Sequence, residues 1–227
     1  MGKSLKKILA LGMLMLSIFI YNGIAFANSD LDYEIDANIS NSYLKENFNA
    51  EIETIRYLRD EKGLTFEEIN TVLSQNRDIP YLDNFVGNHL NPQEKALYKE
   101  NRAKALLCLS NGKYALDYSA AMYRDTYNGN GDAFRHAIWN YGMAIDVGQN
   151  FAKKWSDAHE NGTKDNPYLE KKMDLFNNSV GLSLAKEYPN TRLHSDLKNK
   201  TRKAVRDGRC RIIVNNKLVR SNSNNEK

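Results

Sequence analysis

Apolar residues recur every three or four positions through most of the chain, the period of helices with one buried face. Tyr43, Leu44, Phe48, Ile52, Ile55 and Leu58 predict a first helix, ended by Gly63. Thr65 and Glu68 form a capping-box pattern that opens a second, carrying Phe66, Ile69, Val72 and Leu73. Asn76–Gly87, with Pro80 among Asp and Asn residues, reads as a linker. At Asn91-Pro92 an N-cap meets a proline in the first helical position. The helix predicted there runs through Leu109 and stops at Asn111-Gly112, and another follows over Tyr114–Tyr127. Asn128-Gly129-Asn130-Gly131 is a sharp break, after which Asp132 is expected to cap a helix to about Ile145, with Val147-Gly148 ending or interrupting it. Further helices are expected over Asn150–His159, Leu169–Tyr188 and Leu193–Asp207. The pattern then changes: Ile212, Val214, Leu218 and Val219 flank Asn215-Asn216-Lys217 as in a terminal hairpin. The expected fold is mainly α, a helical bundle-like domain with a short C-terminal β-hairpin.

The start of the chain follows a different logic. Lys3, Lys6 and Lys7 precede an apolar run from Ile8 to Ile20, and Ala25-Phe26-Ala27 supplies small residues for cleavage. These are the parts of a secretory signal peptide, so a secreted protein cleaved after Ala27 is expected. The run is short of the roughly 20 apolar residues that span a bilayer, and no stable membrane span is expected after signal removal. Four parts are expected: signal peptide at 1–27, helical extension and linker at 28–87, helical domain at 88–221, and a disordered polar tail at 222–227.

Charge adds little about partners until its distribution is read. The formal net charge of +4 owes three lysines to the signal, so the remainder is nearly neutral. Residues 28–100 hold 15 acids and 7 bases, whereas residues 192–220 hold 10 bases and 2 acids. An anionic substrate could be guided by that basic segment, although a solvated helix face is the plainer reading.

Candidate chemistry concentrates between Gly129 and Gly181, which holds both tryptophans and two of the four histidines, His136 and His159. Asp132, His136 and Asn140 are four apart and share a helix face, beside Arg135 and Trp139. His159 and Glu160 end the next helix. Asp174, Asn177, Asn178 and Gly181 share a face of the third. Antiparallel packing of the three would gather imidazole, carboxylate and carboxamide groups on one site. His136 or His159 would act as general base or metal ligand, with Asp174 or Glu160 as the orienting carboxylate. Arg135 would clamp an anion. Asp132, Trp139, Asn140, Asn177 and Asn178 would bind substrate or support the site. Against this stands the plain alternative that a buried polar network only specifies helix packing. A mid-helix glycine such as Gly181 points to the close approach of a neighbouring helix or a ligand.

His136, His159 and Asp174, with Asp132 or Glu160 as further candidates, could supply a three-ligand metal site. There is no HExxH signature and asparagine is a poor zinc ligand, so a divalent metal is the disfavoured reading and the cofactor is left open. The NGNGD loop lacks the twelfth-position glutamate of an EF-hand and is read as a turn. Cys108 and Cys210 could pair in a secreted protein, but Cys108 in its apolar run suits a buried free thiol equally.

Four stretches, NPQEKAL, GDAFRHAIWN, the HE pair and MDLFNNSVG, occur in that order over Asn91–Lys186. In this the chain resembles a family of uncharacterised secreted bacterial helical domains with NPxExxL, GDAxRHAxWN, HE and MDxxNNxxG motifs. The resemblance implies a helical domain, often within toxin-like exported proteins. It supports a site at Asp132, Arg135, His136, Trp139, Asn140, His159, Glu160, Asp174, Asn177 and Asn178, and it supplies no reaction. The expected function is a secreted hydrolase or toxin-like effector acting on a phosphodiester or other anionic substrate. The alternative is a non-enzymatic secreted binding or structural module.

Overall fold

A computed structural model of the chain describes residues 42–75, 79–162 and 167–227. The expected signal peptide at 1–27 therefore lies outside the described residues. The chain divides into two units, the first ending at His89 and the second running from Leu90 to Lys227. Among the described residues, no helix is long and apolar enough to cross a membrane.

The first unit is helical. Helix α1 (Ser42–Asp60) buries Phe48, Ile52, Ile55 and Leu58, and α2 (Phe66–Ser74) buries Ile69, Val72 and Leu73. Both follow the apolar period, and the capping box at the start of α2 is complete. Glu68 N donates to Thr65 Oγ1 at 3.3 Å and Thr65 N to Glu68 Oε2 at 2.9 Å. The expected linker is instead largely helical, as α3 (Ile79–His89). Pro80 is compatible with this because it falls in the first turn, where an N–H has no intrahelical acceptor anyway.

The second unit is organised around α6 (Asn130–Val147), of which only Arg135, Ile145 and Asp146 escape full burial. A helix buried on nearly all sides is central in its domain. Around it pack α5 (Arg102–Met122), α7 (Gln149–Gly162), α8 (Tyr168–Glu187), α9 (His194–Arg206) and the first strand. Helix α4 (Pro92–Glu100) lies against α5 and α7. Strands β1 (Arg211–Val214) and β2 (Lys217–Arg220) form an antiparallel hairpin in which Arg211 faces Arg220 and Val214 faces Lys217. Asn215 and Asn216 have φ of 50° and 59°, so the loop is a two-residue one of the twisted kind that asparagine favours.

Three boundaries differ from expectation for identifiable reasons. The break comes at Asn101, not at Asn111-Gly112. Asn101 Oδ1 accepts from Lys104 N at 3.0 Å and caps a helix that continues to Met122. Asn111 is buried within that helix, its Nδ2 donating to Leu107 O at 2.9 Å and to Asp146 Oδ2 at 2.8 Å. Gly142 of α6 sits against it; a Cβ there would lie 2.1 Å from Asn111 Oδ1. The asparagine–glycine pair thus marks a helix crossing, not a helix end.

Asp132 is not the cap of α6 but the third residue of its first turn, with Gly129 at the N-cap position. The free amides are met by Asp125, whose Oδ2 accepts from Asn130 N at 3.0 Å, while Asp132 Oδ2 reaches back to Asn128 N at 2.7 Å.

The expected disordered tail is docked. Ser221 is buried, Arg124 N donates to Asn225 O at 2.8 Å, and Lys227 N donates to Met122 O at 2.8 Å. Asn130 Nδ2 donates to Asn222 Oδ1 and to Asn224 O, both at 3.0 Å. Polar composition suggested disorder, but here the polar groups have fixed partners. Cys108 and Cys210 are both buried free thiols.

Candidate functional site

The polar face of α6 meets α7 and α8 in the interior of the second unit. Gly181 makes the meeting close: a Cβ there would lie 2.2 Å from Ala137 O and 2.8 Å from Asn140 Cβ. The expected close approach at this glycine is that of a neighbouring helix. It brings Asn178 and Asp174, about one and two turns of α8 before it, against Asn140 and His136.

His136 is the hub. Its Nε2 lies 3.4 Å from Asp132 Oδ1 and 3.3 Å from Asp174 Oδ1. Its Nδ1 lies 3.1 Å from Asn178 Oδ1 and 3.5 Å from Glu160 Oε1. Asp132, His136, Asn140, Glu160, Asp174 and Asn178 are all buried. Arg135, partly exposed, closes an ion pair with Asp132.

The carboxamides determine the tautomer. Asn140 Nδ2 donates to Asn178 Oδ1 at 2.7 Å, and Asn178 Nδ2 donates to Glu160 Oε1 at 3.1 Å. Asn178 therefore presents its oxygen to the imidazole, which must donate through Nδ1–H. Nε2 is left facing the two aspartates. Two atoms of the network lack a hydrogen-bond partner: Asp174 Oδ1 and Asn140 Oδ1. The Asp174 contact with Nε2 is thus one of proximity, without hydrogen-bond alignment.

Burial and charge work against each other here. Burial would raise the Asp132 carboxyl, but His136 and Arg135 beside it, with the Asn128 amide, hold it well below the usual carboxylate range. Burial and Arg135 would depress His136; the carboxylates of Asp132, Asp174 and Glu160 prevail and raise it. Asp174 is pushed up to about 6, chiefly by burial, with His136 opposing and the Glu160 and Asp132 charges adding. Asp132, His136 and Asp174 each offer one metal-binding atom, and these lie within 4.8 Å of one another.

Not every expected residue joins them. His159 lies outside this three-residue group, with its Nδ1 2.9 Å from Glu94 Oε1 and its ring edge-on to Trp139 at 5.1 Å. Trp139 donates from Nε1 to Cys108 O at 3.0 Å and so ties α6 to α5. Asn177 pairs twice with the Arg211 backbone, at 2.8 and 2.9 Å, and fastens the hairpin to α8. Glu94 was not expected among these residues. It is buried, and it serves both His159 and the α4 capping box, accepting from Asn91 N at 2.9 Å. Its place three residues after Asn91 was the signal for it.

In the basic segment, Arg202 and Arg206 both engage Glu226, and Arg209 engages Glu187. A surface cavity of about 420 Å³ there is lined by Asn199, Arg202, Lys203, Arg206 and Asp207, all from α9 and its end.

No curated protein and no solved structure matches the chain. One family model does, over residues 95–209, from α4 to the residue before Cys210. That span contains every residue of the His136 cluster together with the helices that hold it. On that match the chain belongs to the family described as Domain of unknown function (DUF6973).

Proposed function

We propose that the protein is a secreted hydrolase, of the kind found in toxin-like effectors, whose reaction centre is the Asp132–His136–Asp174 cluster. One observation carries this reading: three carboxylates, on Asp132, Glu160 and Asp174, lie within 3.5 Å of a single buried imidazole. Packing alone has little use for such a concentration, because each buried charge carries a desolvation cost of several kcal/mol. Groups with opposed protonation demands gathered at one point are a feature of reaction sites. His136 would activate a water molecule, as base or as ligand of a cation that does so. Arg135, the one partly exposed member, would hold an anionic substrate, a phosphodiester first among them.

The burial of the cluster favours a second reading, a non-enzymatic module in which the network specifies how α6, α7 and α8 pack. A network built for packing would be fully paired; Asp174 Oδ1 and Asn140 Oδ1 are not.

The test is hydrolysis of bis(p-nitrophenyl) phosphate by the purified chain and by two variants, with circular dichroism to verify folding. His136→Gln is expected to lose about 10²-fold or more in rate, and His159→Ala to lose far less. Full activity in a folded His136→Gln variant would exclude this cluster as the reaction centre. A folded wild type inert towards the diester would remove the phosphodiester assignment.

A further inference from the structure

We propose that Asp132, His136 and Asp174 form a three-ligand site for a divalent transition-metal cation of zinc's size. The two separations from His136 Nε2 are those of neighbouring ligands in a coordination polyhedron. Zinc bonds nitrogen and oxygen ligands at about 2.0–2.2 Å, so two ligand atoms of a tetrahedral site stand about 3.3–3.6 Å apart. His136 Nε2 stands 3.4 Å from Asp132 Oδ1 and 3.3 Å from Asp174 Oδ1. All three residues offer a ligand atom within 4.8 Å of the others.

A second, independent observation points the same way. Asp174 Oδ1 is buried and aimed at Nε2, yet has no hydrogen-bond partner. A buried carboxylate oxygen without one is costly unless something else answers its charge. A cation between the three atoms would answer it, while Asp132 Oδ1 already has the Arg135 guanidinium beside it.

The surroundings have the form that metal-binding histidines require. A ligating imidazole is held by a hydrogen bond from its other nitrogen, which sets the tautomer and the ring direction. Here Nδ1 donates to Asn178 Oδ1 at 3.1 Å. Asn178 is in turn held by Asn140 at 2.7 Å and Glu160 at 3.1 Å. Glu160 lies on the Nδ1 side of the ring and so supports the ligand without being one. Nitrogen with two carboxylate oxygens suits zinc or manganese better than a thiol-seeking metal.

Three protein ligands leave a fourth position for water, the arrangement of catalytic zinc sites. Its use in catalysis rests on the hydrolase reading; the binding itself does not. In that use Asp132, His136 and Asp174 would hold the cation, which would supply a bound water of lowered pKa.

The experiment is chelator treatment of the purified chain, followed by calorimetric titration with Zn²⁺ and, separately, visible spectroscopy after addition of Co²⁺. Wild type is expected to bind one Zn²⁺ per chain and to give the intense visible bands of a four-coordinate Co²⁺ site. The conservative Asp174→Asn variant is expected to weaken binding by tenfold or more and lose those bands, while His159→Ala keeps both. Absence of stoichiometric Zn²⁺ binding by folded wild type overturns the proposal. Binding unchanged in Asp174→Asn, or abolished in His159→Ala alone, overturns it too. Should Asp174→Asn fail to fold, His136→Gln replaces it with the same expectation, and the wild-type cobalt spectrum decides by itself. Stoichiometric metal without diester hydrolysis would remove the phosphodiester assignment and leave the site standing. Hydrolysis by the metal-free chain would remove the cation from the reaction and leave the hydrolase reading standing.

Discussion

Asn178 Oδ1 receives both the Nδ1–H of His136, at 3.1 Å, and an amide N–H of Asn140, at 2.7 Å. This shared acceptor decides which nitrogen of the imidazole faces the aspartates. The contact spans two helices, so neither helix alone could orient the ring.

Asn178→Ala is expected to take a partner from three groups at once, His136 Nδ1–H, the Asn140 amide and the Glu160 carboxylate, while the Asn140 amide keeps its bond to His136 O at 3.1 Å. Leaving a buried polar group unmet costs about 1–3 kcal/mol, and the network can relax in part. A loss of about 2–4 kcal/mol in urea denaturation is the expectation. A loss below about 0.5 kcal/mol, the size of an ordinary surface change, would show that Asn178 does not organise the network.

Gly181→Ala should separate α8 from α6, because its Cβ would stand 2.2 Å from the Ala137 carbonyl oxygen. Backbone cannot rotate aside as a side chain can. A cost of about 2–4 kcal/mol is expected in denaturation experiments, with loss of function through displacement of Asp174 and Asn178. The control is Gly87→Ala in α3, where an added Cβ meets nothing within 4 Å. There a gain of up to about 1 kcal/mol is expected, from the lower flexibility of the unfolded chain. Equal effects at the two glycines would contradict the close helix contact.

The docked 221–227 segment should release in acid. The Arg206 guanidinium, with Arg202, holds the Glu226 carboxyl down at about 2, against an ordinary value of 4.5, although its partial burial opposes this. A carboxyl lowered on folding contributes stability above pH 4.5 that is lost as the pH falls towards 2. Amide protection at Lys227 and Arg124, which bond to Met122 O and Asn225 O, should decline across that window. Glu226→Gln should weaken protection at neutral pH and remove the decline. Protection that is flat from pH 6 to pH 2 in the wild type would show that the ion pairs do not hold the segment.

Much of the framework was legible along the chain. The apolar period located α1, α2, α7, α8 and α9 to within a few residues. Thr65–Glu68 and Asn91-Pro92 marked helix starts because caps are chemical requirements of the helix end itself. The hairpin was legible from the same kind of local rule, two asparagines able to hold positive φ. Where rules of composition were read as local, they failed. Asn111-Gly112 has the composition of a helix stop, but its purpose is to admit α6. Residues 221–227 are polar enough for a loose end, but Asn130, Arg202 and Arg206 lie far along the sequence and supply their partners.

The candidate site divides along the same line. Residue spacing alone determined that Asp132, His136 and Asn140 share one face of α6 and that Asp174 and Asn178 share one of α8, because helical period is a property of the backbone. Only the tertiary structure decided that these two faces meet, that Asn177 turns to the hairpin, and that His159 turns to Glu94. Those outcomes depend on the separation and rotation of whole helices. Close contact at Gly181 and the pairing of buried carboxamides set both, and no local spacing encodes them.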